Sequence, residues 1–231
     1  MNEFPCKIIA RIQTDLPEKF GIPRQSGLAK HLKGRIIAEP PYRDAAAFQG
    51  LEGYSHIWLI WLFSQNKNRE TPSLTVRPPR LGGNKRVGVF ATRSPYRPNP
   101  IGLSSVRLDR VSYDPALGPV LEVSGIDLAD GTPILDIKPY LAYADSHPDA
   151  VCGFTDEVAY RRLQVDLPAD LAAALPAELQ AALTELLAED PRPHYQNDPD
   201  RIYGMTFAGY AVKFLVNGDC LTVISMQKIT S

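Results

Sequence analysis

RVGVFATRSPYRPNPIGLSSVRLDRVSY, residues 86–113, holds two β-like runs on either side of a segment that cannot be helical. The first run, ending at VFAT, reads as a buried strand, and the second begins at LSSV. Between them Pro95, Pro98 and Pro100 fix φ and remove backbone donors, which forbids helix and interior sheet and leaves a stiff loop. A parallel βαβ unit would need a helix of about ten residues or more between its strands, and none fits here.

The same grammar fills the first 140 residues: CKIIARI, GRIIAE, HIWLIWLF, PVLEVSGI and PILDI are short runs bounded by turn residues. Only DAAAFQGL, 44–51, looks helical, with Asp44 as its N-cap. Many short strands with frequent turns predict an antiparallel barrel or sandwich over residues 1–148, not a nucleotide-binding Rossmann half. After Pro148 the pattern changes. Leu171, Leu175, Leu179, Leu183 and Leu187 recur every four residues, one face of a helix that Pro176 splits in two. Two β-rich runs follow in residues 203–229, joined by Asn217-Gly218 as a hairpin turn. Residues 149–231 thus read as a small α+β domain.

Composition excludes several classes. The longest apolar stretch, IWLIWLF, is far short of the ~20 residues that span a bilayer, and the start carries no export pattern, so a cytoplasmic protein is expected. Cys6, Cys152 and Cys220 have no metal or disulfide spacing and read as buried free thiols. His31, His56, His147 and His194 never pair at ligand spacing, so no metal is expected. The net charge of −1 conceals a basic stretch, 67–97, with eight Lys and Arg against Glu70, and an acidic stretch, 154–200, with ten acids against three arginines. Arginine matches phosphate in a bidentate fork, so the basic stretch points to anion binding. The alternative is neutralisation between the two halves.

Phosphate-loop, zincin, serine-hydrolase and dinucleotide motifs are all missing. Five polar motifs remain at strand ends or in proline-bounded loops: GIPRQSG (21–27), EGYSHIWLIWLFSQN (52–66), VRPPRLGG (76–83), GVFATRSPYRPNPIGLS (88–104) and DGTPILDIKPYLAYAD (130–145). Loops on one rim can converge on one site. Asp136 and Lys138, two apart, share a face of a strand and are placed to pair.

These motifs, in this order, resemble the TrmO family of tRNA N6-threonylcarbamoyladenosine methyltransferases, and DPRPHY at 190–195 resembles that family's C-terminal signature. The resemblance implies a β-barrel enzyme, working as a homodimer, that holds S-adenosylmethionine between strand-end loops in place of a Rossmann site. Carried over residue by residue, it implies cofactor contacts at Pro23, Arg24, Gln25, Ser64, Gln65, Arg93, Leu103, Asp136, Ile137, Lys138 and Pro139. Ser64 stands where members often have His.

The N6 nitrogen of the modified adenosine is a poor nucleophile until its proton leaves, so a base is required; Asp136 is the first candidate and Tyr140 the second. Arg77, Arg80, Lys85, Arg86 and Arg97 are expected on anticodon-loop phosphates or the threonyl carboxylate. Arg192 and Tyr195 of the C-terminal signature are expected on the RNA side, with Tyr96 or Tyr195 beside the extruded base. The rival readings are a tRNA-binding barrel without catalysis, and the same scaffold acting on another substrate. The paired PRQ and DIKP segments favour a cofactor pocket over plain RNA binding.

Overall fold

A computed structural model describes residues 4–66, 73–78, 81, 85–157, 160–192 and 198–229. Strands β1 (Ala10–Thr14), β2 (Lys33–Ala38), β3 (His56–Leu62), β6 (Ile101–Asp114), β7 (Gly118–Ser124) and β8 (Pro133–Pro139) close into a barrel in the order β1-β2-β7-β6-β3-β8. Every pairing in it is antiparallel. The short strands β4 (Thr75–Val76) and β5 (Val87–Gly88) form a separate ribbon.

Alternation builds the core. In β3, Ile57, Leu59 and Trp61 point inward; in β6, Gly102, Ser104, Val106 and Leu108 do. The Trp61 indole lies against Gly102 so closely that a Cβ there would overlap it, which explains a glycine in mid-strand. Because neighbouring strands are antiparallel, the β1–β2 connection (15–32), the β3–β6 connection (63–100) and the β7–β8 connection (125–132) all leave from one rim. That rim receives PRQ, Ser64-Gln65 and the proline loop.

The chain then runs through α1 (Ala142–Asp145), β9 (Gln164–Asp166), α2 (Ala169–Ala172) and α3 (Ala177–Ala188) into β10 (Tyr203–Phe207), β11 (Tyr210–Asn217) and β12 (Cys220–Lys228). The second sheet has the order β10-β11-β12-β9, with β9 parallel to β12. Pro176 takes the N-cap position of α3, as the split leucine pattern predicts. This unit packs on the β1–β2 connection. Met205 fills the space that a Gly21 side chain would need, and Glu18 Oε1 accepts the Thr206 N–H at 2.8 Å. Lys33 Nζ meets Glu178 at 2.6 Å, and His31 donates its backbone N–H to Glu185 Oε2 at 2.9 Å. Among the described residues, acids of the C-terminal stretch pair with Lys33, with His31 and with their own neighbours, as in Arg162–Glu189 and Arg192–Asp190.

Four expectations are corrected. VGVFAT is not a buried strand: after Val87–Gly88 the chain turns through a 3-10 segment, Val89–Ala91, that buries Val89 and leaves Phe90 75% exposed. Its apolar residues serve one tight turn, a use that a short run cannot reveal by periodicity. Cys6, Cys152 and Cys220 are all exposed, each lying outside the packed interior that free cysteines usually favour. The last hairpin turns at Gly218-Asp219, with Asn217 and Cys220 paired across it and Gly218 supplying φ +59°. Finally, residues 203–228 hold three strands, not two, because Ala208 and Gly209, both at positive φ, turn β10 into β11.

Candidate functional site

The rim loops meet through side chains. Arg93 donates to the Gln25 Oε1 atom, joining the proline loop to PRQ. Arg97 Nη1 donates to the Thr92 carbonyl at 2.9 Å, and Thr92 Oγ1 donates to the Val89 carbonyl at 2.8 Å, so the loop is clasped internally as well as stiffened by proline. Arg97 thus shapes the loop, while Arg93 reaches across the rim. Ser64 and Gln65 follow β3 directly, exposed at the same rim.

A second group occupies the outer wall. Cross-strand register sets Leu103 beside Ile60 and Ile60 beside Asp136, one row across β6, β3 and β8. At strand spacings of 4.7–4.9 Å, Leu103 and Asp136 stand about 10 Å apart. Leu103 is 54% exposed. Asp136 Oδ2 pairs with Lys138 Nζ at 2.8 Å, and Asp136 Oδ1 accepts the Ile137 N–H at 2.9 Å. The expected ion pair is present, and Pro139 ends β8. Behind Asp136 and Ile137, on the β1 side, lies a cavity of about 240 Å³ lined by Ile9, Ala10, Tyr42, Ala47, Phe48 and Leu51.

Tyr140 is placed differently. Its N–H donates to the His56 carbonyl, and its ring lies 5.5 Å from that of Trp58. It sits at the far end of β3 from Ser64, about 20 Å along seven strand residues at roughly 3.3 Å each. Asp145 accepts from the Leu141 N–H and from Trp58 Nε1, bonds that hold its carboxyl below the usual range and pin Trp58 beside Tyr140.

Pro23 is buried and Arg24 exposed, with Arg24 Nη2 3.5 Å from the Asp190 carbonyl. Arg77, Lys85 and Arg86 are exposed near the β4–β5 ribbon. Arg192 is 9% exposed and forked onto Asp190 at 2.8 and 2.9 Å, a posture that braces the C-terminal segment rather than offering a free guanidinium. Arg80 and Tyr195 lie outside the described residues. Among the described residues no three His, Cys, Asp or Glu cluster so as to hold a metal ion, and no helix is long and apolar enough to cross a membrane.

Sequence reasoning missed Ile60, Ser26, Ser104 and Asp127. Asp127 accepts the Ser104 hydroxyl at 2.6 Å and the Ser26 backbone N–H; burial outweighs these bonds and pushes its carboxyl up to about 6. A signal for Ile60 existed: Trp58, Ile60 and Leu62, the outward residues of β3, are apolar too, so the strand is hydrophobic on both faces.

Comparison with known proteins gives a consistent answer. Residues 11–146 match the model of the tRNA-methyltransferase O N-terminal domain, and residues 160–229 match the TrmO C-terminal domain. The tRNA (adenine(37)-N6)-methyltransferase of Escherichia coli K12 is 40% identical over 222 residues, 94% of this chain and 93% of that protein. A relative from Pseudomonas aeruginosa, named provisionally as an S-adenosylmethionine-dependent methyltransferase, is 43% identical over 204 residues, 85% of this chain and 86% of its own. A crystal structure of TrmO from Pseudomonas aeruginosa superposes with a TM-score of 0.79 at 33% identity, covering 99% of this chain and 98% of that one. With both family models matched in order on one barrel and one C-terminal unit, this chain belongs to the TrmO family.

Proposed function

We propose that this chain is an S-adenosylmethionine-dependent tRNA methyltransferase that methylates N6 of threonylcarbamoyladenosine, 3′ of the anticodon, in threonine tRNA. The observation that carries the cofactor reading is the meeting of PRQ and Arg93 on the rim from which β3 and β6 present Ser64, Gln65 and Leu103. The donor set suits the ligand. Arg93 would take the methionyl carboxylate, Asp136 a ribose hydroxyl or the ammonium, and Leu103 with Ile60 an apolar ring face. Bound S-adenosylmethionine supplies an electrophilic methyl group on its sulfonium.

The chain's own residues would then do three things. The clasped proline loop keeps its geometry, so that donor and acceptor meet at about 3 to 3.5 Å, a separation at which positioning supplies much of the rate. Asp136, kept near Lys138, is the candidate that takes the N6 proton; Tyr140, at the other end of β3, is the second. Arg77, Lys85 and Arg86 would bind anticodon-loop phosphates, with Arg97 setting the loop between them and the cofactor. The boundary at 148/149 divides a barrel that carries the chemistry from a C-terminal unit that supports the PRQ connection. A homodimer is part of this reading, with Trp58 and Leu62, the half-buried outward residues of β3 on either side of Ile60, among the apolar groups that a partner could cover. A cytoplasmic site of action accords with a tRNA substrate.

Mass spectrometry of nucleosides from threonine tRNA, before and after incubation with protein and S-adenosylmethionine, tests this. Conversion of threonylcarbamoyladenosine to its N6-methyl form is expected. An unchanged nucleoside profile would leave the RNA-binding reading in its place.

A further inference from the structure

Asp127 lies outside the motifs that carry the family resemblance, yet the cofactor segments meet on its carboxylate. Trp61 Nε1 donates to Ser104 Oγ at 2.9 Å, and Ser104 Oγ donates to Asp127 Oδ1 at 2.6 Å. A hydroxyl has one proton to give, so with the indole N–H on its lone pair Ser104 points its proton at the carboxylate. The same carboxylate accepts the Ser26 N–H and faces the positive charge of Arg93. Ser26 follows Gln25, which in turn accepts from Arg93. Leu103 precedes Ser104 on β6 and points outward while Ser104 points in. A backbone bond from Gly27 N to the Gly125 carbonyl, 2.8 Å, joins the same two connections.

Burying a carboxylate is costly unless it is bonded and charge-compensated, and apolar residues could tie loops together without that cost. A carboxylate suits this junction because it alone can accept from Ser104, accept from a backbone amide and attract Arg93 at once. We propose that Asp127 is a positioning residue for the cofactor site, holding Ser26 and Ser104 so that Gln25, Arg93 and Leu103 keep their spacing before any ligand arrives. The proposal rests on the cofactor reading given above. Asp127 acts through these residues and touches no reacting atom.

The test compares wild type with Asp127→Ala, Asp127→Asn and Ser104→Ala in two measurements. Hydrogen–deuterium exchange without ligand reports on residues 21–27, and calorimetry with kinetics reports S-adenosylmethionine Kd, KM and kcat. In Asp127→Ala, exchange over 21–27 is expected to rise at least about tenfold, and cofactor Kd and KM to rise about tenfold, the effect of losing hydrogen bonds to a charged acceptor. At saturating cofactor kcat is expected to stay within about threefold, since the loss falls on ground-state organisation. Asp127→Asn keeps one acceptor oxygen but loses the second and the charge that faces Arg93, and should recover only part of both. Ser104→Ala, which leaves a smaller void should the first variant fold poorly, should show the same pattern at reduced size. Unchanged exchange over 21–27 in a folded Asp127→Ala, or a loss confined to kcat, would overturn the proposal. A wild-type chain that binds no S-adenosylmethionine contradicts the cofactor reading instead, and the exchange measurement then still decides whether Asp127 holds the loop.

Discussion

Lys138 Nζ and Asp136 Oδ2 stand 2.8 Å apart on the outer face of β8, both well exposed. An exposed pair of this kind contributes only about 0–1 kcal/mol to stability, so the cofactor role proposed for it can be tested separately from folding. Lys138→Met is therefore expected to leave the urea midpoint nearly unchanged while weakening cofactor binding. Asp136→Asn is expected to lower turnover at saturating cofactor. Full turnover in that variant would remove Asp136 as the base.

Gly102 lies beneath Trp61, with no room for a Cβ. Gly102→Ala must displace the indole from the barrel interior or bend β6, a cost of about 1–3 kcal/mol for overpacking. The expected result is a lower denaturation midpoint in urea together with altered tryptophan fluorescence. An unchanged midpoint would mean that the close contact of Trp61 with Gly102 is not held as described.

Asp127 makes stability depend on pH in a predictable direction. Its folded-state carboxyl titrates at about 6, above the ordinary 3.8, so between those values the folded chain keeps a proton that the unfolded chain has released. Its contribution therefore falls as pH rises from about 4 to about 6, by up to about 3 kcal/mol across that window, with Arg93 as the charge that faces it. Asp127→Asn should flatten this part of the stability profile. Urea denaturation of both proteins across that range checks it; parallel profiles would show that the carboxylate is not perturbed.

Arg86 is exposed beside the β4–β5 ribbon and is expected on a phosphate. Arg86→Ala should reduce the slope of log Kd for tRNA against log salt by about 0.7, the value for one single-strand phosphate contact. The same measurement on Arg192→Ala should show little change in slope, because that guanidinium is already forked onto Asp190.

Much of the barrel was legible because each strand announces itself locally. HIWLIWLF, PVLEVSGI and PILDI are bounded by turn residues, and the absence of long helices between them excludes parallel crossovers. The DIKP pair was legible for the same reason: a period of two puts Asp136 and Lys138 on one face whatever the partner strand. VGVFAT misled because four apolar residues serve a tight turn as well as a strand. Asp127 was not legible, since its meaning lies in a contact with Ser104, twenty-three positions away, and in burial that no local pattern reports. Arg192 is expected on the RNA side from the DPRPHY signature, and its fork onto Asp190, inside that same signature, is a contact that the motif by itself does not reveal.

A crystal structure of this protein with S-adenosylhomocysteine, the demethylated product, tests most directly whether the loops at one barrel mouth form the cofactor site. The product is expected against Gln25, Arg93, Leu103 and Asp136, with its sulfur facing solvent on the side of Arg86. Density for it elsewhere, in the cavity beside Ile9 and Phe48 alone or on the C-terminal sheet, would contradict the account.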